Sequence, residues 1–199
     1  MTNSIKNGSK KYLNDSELHS FRSCIESGKN KRDVFVFNLI LFLGLRVQEA
    51  VNIRLLDVDD NERTITIRGL KNGRVRTYDI PGKLWRRYNS WIKARKLLKP
   101  SKDNPYLFPS RFYNDSPITA QALKKAFKAY ASLAELNVDY SIHSLRHSCA
   151  MIRVREGSHP IAVQKWLRHK ALSSTQVYFE AFEGERDNQV AAKQFDKYL

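Results

Sequence analysis

Cysteine is scarce in this chain: its 199 residues include only Cys24 and Cys149, with no Cys-x-x-Cys pair. That excludes a disulfide framework and a thiolate-built structural zinc site, and it points to a reducing, intracellular compartment. Long apolar runs are missing too. The most apolar stretch, Val34 to Leu45, is too short for the roughly 20 residues that cross a bilayer, and it reads as a buried helix. There is neither an internal repeat nor a low-complexity block, so a chain of this length is expected to bury one continuous core. Acid is lacking in one place above all: between Arg63 and Lys102, Asp79 stands alone against thirteen Lys and Arg residues.

What is present is positive charge. Lys and Arg number 35 against 20 Asp and Glu, a formal net charge of +15, with a pI near 9.9. The stretch from Arg63 to Lys102 alone supplies +12. A cationic field concentrated in one segment attracts a polyanion, and a basic domain with this pI carries the electrostatic footprint of nucleic-acid binding. Trp85, Tyr88 and Trp91 interleave with the charge, which favours nucleic acid over a merely solvated helix face.

Residues 1–11 are basic, polar and without periodicity, and are expected to form a flexible arm. Residues 12–199 read as one domain. Asn14 stands three residues before Glu17 in a capping-box arrangement, followed by Leu18, Phe21 and Ile25 at helical spacing. A helix through the apolar run comes next. From Arg46 onward, Val47, Ala50, Val51, Ile53 and Leu55 predict one further helical face. The period then switches: "RTITIRGLKNGRVRTYDIP" alternates around Asn72-Gly73, a hairpin signal. Helices are expected over 83–98 and 119–136. Four shorter ones should follow: one with "IHSLRHSCAMIRVREG", one from Pro160 behind a Ser158 cap, one reaching Tyr178, and a last from Glu185. The fold class is mainly α with a small antiparallel β-sheet.

One helical turn carries His143, Arg146 and His147. Histidines at i and i+4 are a real zinc geometry, yet no carboxylate or cysteine nearby completes a ligand set, and Arg146 would set a positive charge beside the ion. No metal is therefore assigned. A phosphodiester is the alternative target. Its non-bridging oxygens suit guanidinium forks, for which Arg46 and Arg146 are candidates. Cleavage also requires a proton donor, for which Lys71 is placed at the hairpin turn, hydrogen-bonding groups such as His143 and His169, and a nucleophile, Tyr178. Each residue alone has an ordinary structural explanation; those explanations account for neither the order nor the spacing of the set.

"GLRVQEA", "KNGR", "HSLRHS" and "WLRHKALSSTQVYF", in that order, make the chain resemble the tyrosine recombinase (phage integrase) family, catalytic domain, from Tyr12 to about Phe179. The resemblance implies that Arg46 and Arg146 grip the scissile phosphate, that Lys71 protonates the leaving oxygen, and that His143 accepts the tyrosine proton. It also implies that His169 adds a hydrogen bond and that Tyr178, nine residues beyond His169, attacks phosphorus. Glu49 and His147 become supporting residues, and Arg68, Arg74, Arg76 and Arg168 become DNA contacts. Arg168 departs from the pattern, since it replaces the usual glycine of Leu-Gly-His. The implied activity is site-specific recombination through a 3′-phosphotyrosine, without metal or nucleotide cofactor. A type IB topoisomerase and a non-cutting DNA-binding regulator are the alternatives. The implied partner is double-stranded DNA, bound by a chain that is monomeric in solution and tetrameric on paired sites, cytoplasmic and not in a membrane. No separate N-terminal core-binding domain is expected, as in the short recombinases of fimbrial inversion. Ala191, Phe195 and Leu199 form an apolar stripe expected to serve assembly.

Overall fold

A computed structural model describes residues 12–69, 75–98, 104–113 and 115–195, with the backbone alone for 188–195. The basic arm, Lys71, Arg74 and the apolar stripe of the tail lie outside these residues or their described side chains. The chain runs α1 (Asp15–Ser27), α2 (Lys31–Leu43), α3 (Val47–Val51), β1 (Val58–Asp59), β2 (Thr64–Arg68), β3 (Val75–Asp79), α4 (Gly82–Arg95), α5 (Ala120–Leu133), α6 (Ile142–Arg155), α7 (Pro160–Leu167) and α8 (Ser173–Phe195). The three strands form one antiparallel sheet in sequence order. In the β2–β3 hairpin Thr64 faces Asp79 and Arg68 faces Val75.

α2 is the central element. It is apolar nearly all round, and Phe35, Val36, Phe37, Leu39, Ile40 and Leu43 are buried, as expected of a helix covered on every side. α1 packs beside it through Leu18, Phe21 and Ile25 behind the Asn14–Glu17 capping box. α4 turns Leu84, Tyr88 and Trp91 inward. Tyr88 meets Phe35 edge-on and Trp91 stacks on Phe108. Tyr88 and Trp91 therefore serve the core, and Trp85 leans on Tyr88, so the aromatics that interleave with the charge form the inward stripe of an amphipathic helix.

Three expected boundaries are corrected. α3 ends at Val51, because Arg54 leaves the helix to bridge Tyr106 and Asp57 bonds the Arg54 amide at 2.9 Å, closing a short 3₁₀ turn. His159, not Ser158, caps α7. The two expected C-terminal helices are one, α8, which no glycine or proline effect interrupts at Gly184. Tyr12 packs in the same apolar cluster as Tyr178 and donates a hydrogen bond to Glu185, while Arg155 reaches Glu185 at 2.9 Å. The start of the domain is thereby tied to the helix that carries Tyr178.

Candidate active site

Two helices end where the site begins. α2 stops at Gly44 in a left-handed conformation (φ 59°, ψ 42°). A Cβ there would lie 2.3 Å from Leu167 Cδ2, so this close approach requires glycine. α7 stops at Arg168, also left-handed (φ 56°, ψ 38°). The His169 amide bonds the Gln164 carbonyl at 3.1 Å and the Arg168 amide bonds that of Lys165 at 3.3 Å, the paired bonds of a Schellman ending. Helix C-termini leave carbonyl oxygens without helical partners, and they favour cations. Here two arginines meet them. Arg146 of α6 donates to Gly44 O and, at 2.7 Å, to Leu167 O. Arg168 donates to Trp166 O at 3.0 Å and to Leu43 O at 3.4 Å.

Glu49 lies among the guanidinium groups with its side chain wholly buried. Its Oε2 accepts from Arg168 Nη2 at 2.9 Å and from the Arg46 amide at 2.8 Å, and its Oε1 accepts from Arg46 Nη1 at 3.0 Å. Arg146 Nη1 stands 4.0 Å from Oε2. Burial alone would push the Glu49 carboxyl up, but Arg168 foremost, then the Arg46 amide and Arg146, hold it below its ordinary value. Arg146 is drawn down to about 10 by burial and by Arg46, and stays charged at neutral pH. Arg46 caps α3 with its side chain 39% exposed, so it is the guanidinium with the freest access to a ligand.

Tyr178, on the second turn of α8, is buried, and its Oη lies 2.7 Å from His147 Nδ1. Burial raises its hydroxyl above the ordinary value, against the pull of Arg146 and Arg46. His143 sits one turn before His147 with the two rings edge to face. His169 is buried, with Nδ1 2.8 Å from Thr175 Oγ1, and its ring lies parallel to that of Tyr178, 6.4 Å between centroids. Burial first, then Arg146, Arg46 and Arg168, lower the His169 imidazole to about 4, so it is neutral at physiological pH. A hydroxyl beside a basic nitrogen and two guanidinium groups can attack an electrophile that carries negative oxygens.

The phage integrase family model matches residues 11–185. The chain belongs to the phage integrase family. Tyrosine recombinase XerA of Pyrococcus furiosus is 31% identical over 169 residues, covering 84% of this chain and 56% of the relative. This chain thus spans little more than half of that protein. The type 1 fimbriae regulatory protein FimB of Escherichia coli K12 is 26% identical over 179 residues, 89% of this chain and 88% of the relative. Among solved structures, XerH site-specific recombinase bound to palindromic difH substrate in a post-cleavage complex matches with TM-score 0.78 and 25% identity, covering 95% of this chain and 55% of that one. A crystal structure of XerA recombinase matches in fold with TM-score 0.77 and 22% identity, over 90% of this chain and 65% of that one.

Set against the phage integrase motifs, the structure gathers Arg46, Arg146, His143, His169 and Tyr178 from three separate motif stretches of the chain. Two readings change. His147 rather than His143 holds the Tyr178 hydroxyl, at 2.7 Å. Arg168, expected as a DNA contact, has a side chain that is 2% exposed and is engaged by Glu49, Tyr78 and helix-end carbonyls. Arg68 is exposed but pairs with Asp57 at 3.0 Å, and Arg76 leans on the rings of Tyr78 and Trp166. Thr175, three residues before the tyrosine, was not singled out by the sequence; its signal was the Ser-Ser-Thr that opens α8.

Proposed function

We propose that this chain is a site-specific DNA recombinase that breaks and rejoins strands through a 3′-phosphotyrosine on Tyr178. The observation that carries the reading is the Tyr178 hydroxyl on His147 at 2.7 Å, with the His169 ring parallel to the tyrosine at 6.4 Å and with Arg46 and Arg146 close enough to pull on its charge. Tyr178 Oη attacks phosphorus and gives its proton to His147 Nδ1. The bond from phosphorus to the 5′-oxygen breaks, and that oxygen takes a proton from Lys71. Arg46 and Arg146 meet the charge that grows on the non-bridging oxygens, and neutral His169, oriented at Nδ1 by Thr175, donates from Nε2. The phosphotyrosine keeps an ester bond, so a 5′-hydroxyl from a partner duplex reseals it with no nucleotide cofactor, and the tyrosine recovers its proton.

Double-stranded DNA is the partner, supported by the net charge of +15 and by the difH substrate held in the matching XerH complex. A monomer in solution that becomes a tetramer on paired sites is part of the same reading. The test uses a nicked duplex made from the DNA that flanks the gene. Incubation should give a protein–DNA adduct that survives boiling in detergent, and Tyr178→Phe should remove it; an adduct formed by the phenylalanine variant would show another nucleophile.

A further inference from the structure

The left-handed end of α7 favours glycine, since a side chain there crowds the following carbonyl. Arg168 occupies it all the same. What the arginine does in return is join four elements with one planar group. Nη1 reaches Leu43 O at the end of α2, Trp166 O in α7 and the Tyr78 hydroxyl on β3, while Nη2 reaches Glu49 in α3 and, at 3.4 Å, Gly44 O. Tyr78 in turn donates to Trp166 O at 2.9 Å.

Glu49 is the point of transmission. Its carboxylate has no solvent to compensate its charge, and it fixes Arg46 by two bonds, amide and guanidinium. The charged and titratable groups that face it are Arg46 at the start of α3, Arg146 and the imidazole of His143 from α6, and Arg168 from the end of α7. Among these Arg168 makes the only side-chain bond to Oε2 that we find in the described residues; Arg146 stands at 4.0 Å and spends its hydrogen bonds on carbonyls. Without Arg168, a buried carboxylate would have to hold a half-exposed arginine with one of its two main charge partners gone.

Resting on the recombinase reading above, we propose that Arg168 is a positioning residue for strand cleavage: acting through Glu49, it holds Arg46 and Arg146 in the arrangement that receives the scissile phosphate. It touches neither DNA nor the reacting atoms. A glycine at this place would restore the backbone preference and delete the device.

That opposition makes Arg168→Gly the decisive variant, read by single-turnover adduct formation on the nicked duplex and by duplex binding. If Arg168 only ended a helix, glycine would serve as well or better. We expect adduct formation to slow by roughly tenfold to a hundredfold, the scale of a misplaced reacting group, with duplex affinity changed less than about twofold because binding is spread over many phosphates. Methylguanidinium added to the glycine variant should restore part of the rate. The acid limb of the pH–rate profile should move to higher pH, since Glu49 without Arg168 takes up a proton more readily and then releases Arg46. A glycine variant with wild-type rate and an unmoved acid limb overturns the proposal. Should glycine cost the fold, Arg168→Lys carries the test: a slowed rate with unchanged affinity supports the role, and a wild-type rate with an unmoved limb overturns it. A wild-type chain that forms no Tyr178 adduct overturns the recombinase reading, and this role with it; an active wild type beside an equally active glycine variant overturns this role alone.

Discussion

Two sets of cations divide this molecule. Thirteen Lys and Arg crowd the stretch from Arg63 to Lys102, whereas three arginines from three distant stretches converge on Glu49. The first set is the larger by count, yet several of its members are already committed. Arg95 is buried and donates to Asn104 O at 2.6 Å and Tyr106 O at 2.9 Å, Arg87 pairs with Glu26 of α1, and Arg68 pairs with Asp57. The second set is invisible in composition. Its members are held by helix-end carbonyls and one buried carboxylate, so their positions are fixed before any phosphate arrives, and preorganised charge is what lowers a barrier. Amount of charge bears on affinity; arrangement of charge bears on chemistry.

The largest effects should separate members of the second set from one another. Arg146→Ala and Arg46→Ala are each expected to slow adduct formation by about 10²- to 10³-fold. Their stability costs should differ. Arg146→Ala strands Leu167 O, leaves Gly44 O only the longer bond from Arg168 at 3.4 Å, and removes a buried charge near Glu49, a loss of about 3 kcal/mol; Arg46, at 39% exposure, should cost about 1 kcal/mol or less. Denaturant unfolding of the two variants beside the adduct assay checks this, and equal stability losses would mean that the convergence on the helix ends does not hold the fold.

Next come the histidines. His147→Ala should slow adduct formation by about 10²-fold or more, the range of a lost proton acceptor, and His143→Ala by less. The opposite order, measured in the same assay, would show that DNA moves the Tyr178 hydroxyl from His147 toward His143.

These contrasts also mark how much was legible in the sequence. The capping box at Asn14, the β2–β3 hairpin and the helix bearing His143 and Arg146 depend on neighbours a few residues away, and all could be read. The end of α3 could not, because it is set by Arg54 meeting Tyr106 across the fold. His147 was read as a support because motif position says nothing of the angle at which α8 crosses α6. Arg168 was read as a phosphate contact because an arginine in place of glycine suggests an outward charge; only the left-handed backbone of the α7 end turns that side chain inward, onto a carboxylate 119 positions away.

Acid should test the buried histidine. The folded His169 titrates at about 4 against an ordinary 6.5, so between those values the unfolded chain binds a proton that the folded chain refuses. Stability is then complete above pH 6.5 and falls as the pH drops toward 4, by up to about 3 kcal/mol from this group. His143, also lowered, acts in the same direction. Denaturant midpoints at pH 7 and pH 4.5 should therefore lie closer together in His169→Asn than in the wild type, and an unchanged gap would assign the acid sensitivity to other groups.

The smallest expected effect returns to the crowded stretch. Each phosphate neutralised adds about −0.9 to the slope of log affinity against log salt, so a cation that meets DNA should leave a signature of about that size when removed. Arg68 lies at the end of β2 and lines a polar cavity with Glu49, on the side of the molecule where the scissile phosphate is proposed to lie; its pairing with Asp57 leaves it 60% exposed. Arg87 lies across the core, between α4 and α1. Arg68→Ala should therefore flatten the salt slope by nearly one unit, and Arg87→Ala should leave it unchanged while slightly weakening the α1–α4 contact. A salt series on one duplex with both variants decides it. Equal flattening by both would mean that DNA wraps the α1–α4 face as well, and that the charge between Arg63 and Lys102 acts as a diffuse field; flattening by Arg68→Ala alone would mean that only the cations on the side of the three convergent arginines touch the duplex.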